Sequence, residues 1–97
     1  MIVSFGDRAT EDLYHNRATS RARRIPRDIV AVLLVKLDML NGAGAILDLR
    51  SPPGNRLEAL KGDLKGHHSI RVNDQWRLVF RWEGNNAHEI RLMDYHR

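Results

Sequence analysis

Cysteine is absent from this 97-residue chain, so disulfide stapling and thiolate zinc sites are excluded and packing alone must hold the fold. Long hydrophobic runs are absent as well. No apolar stretch approaches the roughly 20 residues needed to cross a bilayer. The opening M-I-V-S-F-G-D lacks the charged and apolar regions of a signal peptide, so a cytoplasmic protein without membrane attachment is expected. There is no internal repeat, no low-complexity tract, no phosphate-binding glycine loop and no Ser-His-Asp spacing. No H-x-x-x-H pair occurs, and adjacent His67 and His68 point to opposite faces of a strand, so no metal and no cofactor are expected.

What is present in excess is positive charge. Sixteen Lys and Arg stand against twelve Asp and Glu, a formal net charge of +4. A basic domain of this size favours a polyanionic partner, of which nucleic acid is the commonest, although +4 is also an ordinary solubility charge. The length suits one core, so residues 1–97 are read as a single domain whose function shares one surface.

Residues 1–5 are β-prone and read as an initial strand. Asp7 then caps a short helix carrying Glu11, Asp12, Leu13 and Tyr14, ending near His15-Asn16. Residues 17–27 hold Arg17, Arg21, Arg23, Arg24 and Arg27 with no acid among them. Such a run is expected to be an exposed, mobile connection. It is either a solvated linker or an arm that follows a phosphate backbone. Pro26 opens the strongest helix, residues 27–41, in which Ile29, Leu33, Leu37 and Leu40 form one stripe and Val30, Val32, Leu34 and Val35 widen it. A helix so apolar is expected to be covered on most sides.

Residues 45–50 suggest a short helical turn before the rigid loop S-P-P-G-N, and Leu57 and Leu60 anchor the polar segment that follows. Residues 67–72, 75–83 and 87–94 read as an antiparallel meander with turns at Asn73-Asp74 and Gly84-Asn85-Asn86. Alternation turns Ile70, Val72, Trp76, Leu78, Phe80, Ile90 and Leu92 toward the helices, and Arg71, Arg77, Arg81, Arg91 and Tyr95 away from them. A solvated outer face is ordinary for such a sheet, but one rich in arginine with a tyrosine suits phosphates and stacked bases.

Lys61, Arg77, Tyr95 and His96 together suggest RNA cleavage without a metal. A base would take the ribose 2′-OH proton, cations would hold the charge on the attacked phosphate, and an acid would protonate the leaving 5′-oxygen. Each residue has an ordinary alternative: a solvated tail for His96, a cross-strand pair with Glu89 for Arg77, an exposed loop for Lys61 and the edge of the core for Tyr95.

The runs L-R-S-P-P-G-N-R-L-E-A-L-K-G-D and G-H-H-S-I-R-V-N-D-Q-W-R-L-V-F-R-W, with the closing D-Y-H, resemble the HigB-type toxins of bacterial toxin-antitoxin systems, a branch of the RelE-like superfamily. The resemblance covers nearly the whole chain. It implies an α+β fold in β-α-α-β-β-β order, with a twisted, mostly antiparallel sheet and helices on one face. It also implies a ribosome-dependent endoribonuclease that cuts mRNA in the A site. The implied partners are the ribosome, mRNA and a HigA-type helix-turn-helix antitoxin, with operator DNA reached only through that antitoxin. By position, the catalytic group would be Lys61, Arg77, Asp94, Tyr95 and His96. Some relatives carry a histidine just before L-K-G-D where this chain has Glu58, so the auxiliary base is Glu58, His67 or His68, or is missing. A catalytically weak or inactive RNA- or partner-binding module of the same fold is the alternative. Arg21, Arg23, Arg24, Arg71, Arg81 and Arg91 are the expected RNA contacts.

Overall fold

A computed structural model describes residues 1–95. Its core is organised by the expected stripe. Helices α1 (Arg8–Tyr14), α2 (Ser20–Arg23) and α3 (Arg27–Gly42) precede strands β1 (Glu58–Ala59), β2 (His67–Arg71), β3 (Trp76–Glu83) and β4 (Asn86–Asp94). Along α3, Ile29, Leu33, Leu37 and Leu40 recur at helical spacing and are buried, in one cluster with Ile70, Leu78, Phe80 and Ile90 of the sheet. The rest of α3 is less covered than expected. Val32 and Val35 are 41% and 52% exposed, because the helix lays only one stripe on the sheet.

The sheet has the order β1-β2-β3-β4 and is antiparallel throughout. The N-terminal segment adds to the outer edge of β4 through two parallel bridges, Ile2 with Ala87 and Phe5 with Ile90. The expected first strand is therefore a bridged edge rather than a full strand, and the expected polar segment before Lys61 contains the two-residue β1. The β2–β3 turn is closed by Asn73, whose side-chain oxygen accepts from the amides of Gln75 (2.9 Å) and Trp76 (2.8 Å). Gly84 and Asn85 both have positive φ, 58° and 60°, as a two-residue type I′ hairpin requires.

Strict alternation fails at one place on β4. The register shifts between Val79 and Arg81, and Glu89 takes a left-handed φ of 53° with its amide donating to Ser4 Oγ at 2.9 Å. This bulge reverses the sides of β4, which is how Ala87 and Ile90 are both buried. The outer face also differs from a solvated one, since Ser69 and Val79 are fully buried there, side by side in register.

Residues 17–27 are not a bare connection. Asp12, 2% exposed, accepts from Thr19 Oγ1 (2.8 Å) and from both Nε (3.1 Å) and Nη2 (2.8 Å) of Arg21. Arg17 adds a 3.4 Å contact to its other oxygen. Thr19 in turn caps α2 by accepting from the Ala22 amide at 3.1 Å, and Ala22 and Ile25 are buried. The counter-charge missing from the run is thus supplied from the preceding helix. The Thr19 hydrogen bond, followed by those from Arg21 and Arg17, holds the Asp12 carboxyl below its usual value despite its burial.

Two outcomes are expected. Leu37→Ala opens a cavity under α3 and costs about 2–5 kcal/mol in denaturant unfolding. Because Asp12 has a lowered folded-state pKa, its stabilisation is complete above the unfolded value of about 3.9 and is lost as pH falls through the folded value. Asp12→Asn is therefore less stable than the parent at pH 7, with a gap in unfolding midpoints that narrows below about pH 4. A gap independent of pH contradicts this role.

Candidate active site

Arg77 lies on the outer face of the sheet near one end of β3, opposite Arg71 on β2 and Met93 on β4. Three acceptors fix its guanidinium: Ser69 Oγ takes Nε at 2.8 Å, while the carbonyls of Arg56 and Ser69 take Nη2 at 2.6 and 3.3 Å. The guanidinium carbon lies 5.8 Å from the centre of the Tyr95 ring, a cation–π distance. Tyr95 is itself tied to the sheet by its amide, which donates to the Gln75 carbonyl at 2.5 Å. Around Arg77 runs an open groove of about 350 Å³, lined also by Arg56, Glu58, Arg71, Asn73, Asp74 and Tyr95. Arg71 bonds the carboxylate of Asp74, whose side chain is fully exposed. Such a surface pair is weak, so an incoming phosphate can take Arg71 over.

The groove wall beside Arg77 is set by a buried amide. Asn55 is fully buried; its Nδ2 donates to the carbonyls of Leu49 (3.1 Å) and Ser51 (3.3 Å), and its Oδ1 accepts from Lys36 Nζ of α3. Desolvation, and then the charge of Arg71, hold the Lys36 ammonium below its usual pKa. With Asn55 pinned, the next residue, Arg56, adopts a left-handed conformation (φ 45°, ψ 56°) that brings its carbonyl to Arg77. The sequence reading missed both Asn55 and Arg56. The available signal was the P-G-N turn running directly into an arginine just ahead of Glu58.

Of the three auxiliary bases, Glu58 lines the groove, opposite Ser69 in register. His67 lies toward the other end of the sheet, 3.8 Å from Glu89. His68 faces the core, stacked 6.3 Å from Phe80, with its pKa lowered by burial and then by the neighbouring His67. Lys61 is exposed and outside the groove lining, and Asp94 accepts from Gln75 Nε2 at 3.2 Å. His96 lies outside the described residues.

The expected RNA-contacting arginines divide by their partners. Arg71 lines the groove, whereas Arg81 is held by Glu89 at 3.1 Å and by Glu83. Those carboxylates raise the Arg81 pKa, the Glu89 hydrogen bond contributing most, and the same bond lowers that of Glu89. Arg21 is committed to Asp12, Arg23 and Arg24 are exposed on and just after α2, and Arg91 packs against Gly6, where a Cβ would meet its Nε at 2.8 Å. No three His, Asp or Glu side chains are grouped to hold a metal ion among the described residues, and no helix there is long and apolar enough to cross a membrane.

Comparison with known proteins gives the family and the fold. The sequence is 49% identical over 82 residues to Toxin HigB-1 of Vibrio cholerae, covering 84% of each chain. It is 30% identical over 96 residues to Endoribonuclease HigB of Proteus vulgaris, covering 99% of this chain and all of the relative. The fold superposes on a chain of the YoeB-YefM complex from Staphylococcus aureus with a TM-score of 0.61 at 21% identity, covering 100% of this chain and 99% of the other. Residues 3–96 match the family described as RelE-like toxin of type II toxin-antitoxin system HigB. The chain belongs to the HigB-like family of RelE-like toxins.

Proposed function

We propose that the groove around Arg77 is the active site of an endoribonuclease that cuts mRNA on the ribosome by side-chain chemistry alone. The observation that carries this reading is the convergence of Arg56, Arg71 and Arg77 with Glu58 and Tyr95 around one open groove. In support, the Proteus vulgaris relative is called an endoribonuclease. Glu58 takes the proton from the ribose 2′-OH, and the 2′-oxygen forms a bond to the adjacent phosphorus. Arg77, with Arg71, holds the added negative charge, and the bond from phosphorus to the 5′-oxygen breaks as His96 protonates the leaving group. Tyr95 stacks on a base, Asp94 belongs to the same catalytic group, and Lys61 adds positive charge along the RNA path. An open groove leaves the placement of the substrate to the ribosome, which supplies the proximity a deep pocket otherwise would. The toxin is held inactive by a HigA-type helix-turn-helix antitoxin, through which alone it is linked to operator DNA.

Arg77→Ala is expected to lower cleavage of ribosome-bound mRNA by about 10²–10³-fold, the usual cost of removing a donor to a developing oxyanion. Glu58→Gln is expected to lower it by about 10²–10⁴-fold, as for loss of a general base. Both variants are checked for folding by thermal melting, and folded variants that cleave like the parent place the site elsewhere. Asn55→Ala leaves two carbonyls and Lys36 without their partner; it is expected to lose about 1–3 kcal/mol of stability, read by denaturant unfolding, and part of the cleavage activity.

A further inference from the structure

The five arginines of residues 17–27 form two sets: Arg21, bound to the Asp12 carboxylate, lines one hollow with Arg24, and the other three line another. This second groove, lined by Arg17, Arg23 and Arg27, measures about 550 Å³ and lies between α1, α2 and α3. Leu13, Ala18, Ala22 and Val30 also line it. Arg23 donates to the Ala18 carbonyl at 3.1 Å, which leaves its charge uncompensated, and neither Arg23 nor Arg27 enters an ion pair among the described residues. The Arg17 side chain makes a 3.4 Å contact with Asp12, and its amide donates to the Asp12 carbonyl at 2.8 Å.

An aliphatic lining with guanidinium groups around it selects its occupant by chemistry. Single-stranded RNA binds where cations meet phosphates and aromatic rings stack on bases, and this groove has no aromatic lining residue. Aliphatic side chains fill such a space better, and carboxylates beside them pair with the arginines. The groove also lies among the helices, whereas the Arg77 groove is on the sheet face turned away from them.

We propose that this groove docks an acidic amphipathic segment of the antitoxin, whose apolar side chains enter between Leu13 and Val30 and whose carboxylates pair with Arg23 and Arg27. The proposal rests on the toxin-antitoxin reading and adds the surface and the chemistry of the partner. It leaves the cleavage groove outside this contact.

The test uses the full chain and the antitoxin of the same operon, with affinity measured calorimetrically across a range of salt concentrations. Arg23→Glu/Arg27→Glu is expected to bind at least about tenfold more weakly than the parent and to lose most of the salt dependence, as removal of paired interface charges does. Ala18→Trp, at an exposed position, fills the groove without altering its charge; it is expected to weaken binding similarly while cleaving mRNA like the parent. If the parent itself forms no complex with that antitoxin, the partner reading fails at its root and this proposal with it. If the parent binds and both folded variants stay within about twofold of it, well under the tenfold expected, the groove is not the docking site. Unchanged antitoxin affinity with loss of ribosome association in the arginine variant identifies an RNA-binding surface instead and overturns the proposal.

Discussion

Burial of one stripe of α3 on one face of the sheet is the constraint from which the rest follows. Ile29, Leu33, Leu37 and Leu40 are satisfied only against a continuous apolar face, and Ile70, Leu78, Phe80 and Ile90 provide it. Because side chains alternate along β2 and β3, committing that face to the core turns Arg71 and Arg77 to the opposite side. The groove proposed as the site is thus the complement of the core. α3 reaches around to it a second time through Lys36, which holds Asn55 and so the wall that carries the Arg56 carbonyl.

The same pairing logic decides which cations are available. Arg81 and Arg21 resemble Arg71 and Arg23 in sequence, but two glutamates hold the first and the buried Asp12 holds the second. A guanidinium locked to carboxylates carries little net charge toward a phosphate. Arg77 is different, because the three acceptors it has among the described residues are neutral oxygens: they orient it without cancelling its charge. That combination, fixed in direction and uncompensated in charge, is what a site for a phosphorane-like transition state requires.

Much of the fold was legible in the sequence because its signals are periodic and local. The α3 stripe, the Asp7 cap and the three long strands are set by spacing and by residues a few positions apart. What was illegible depends on partners distant in the chain or on one inserted residue. Asp12 orders residues 17–27 from the preceding helix, so a count of charges within the run suggested mobility where there is a capped helical turn. The bulge at Glu89 breaks an alternation that looked regular, and its amide is received by Ser4, at the other end of the chain. In the proposed site, Arg77 and Tyr95 were read from the alternation as outward residues, and Glu58 from the resemblance as a possible auxiliary base. Arg56 was not, because its contribution is a backbone carbonyl aimed by a buried amide, and side-chain chemistry does not announce it.

The chemistry proposed for the Arg77 groove is tested most directly by the ends of the RNA fragments it makes. Attack by the 2′-oxygen leaves a 2′,3′-cyclic phosphate on one fragment and a 5′-hydroxyl on the other, because no water enters the bond-breaking step. End-group analysis of mRNA cut on purified ribosomes by the parent chain is expected to find those two ends, and to find almost none with Arg77→Ala. Fragments that carry 3′-hydroxyl and 5′-phosphate ends would show that water is the nucleophile, and would contradict cleavage by the side chains gathered here.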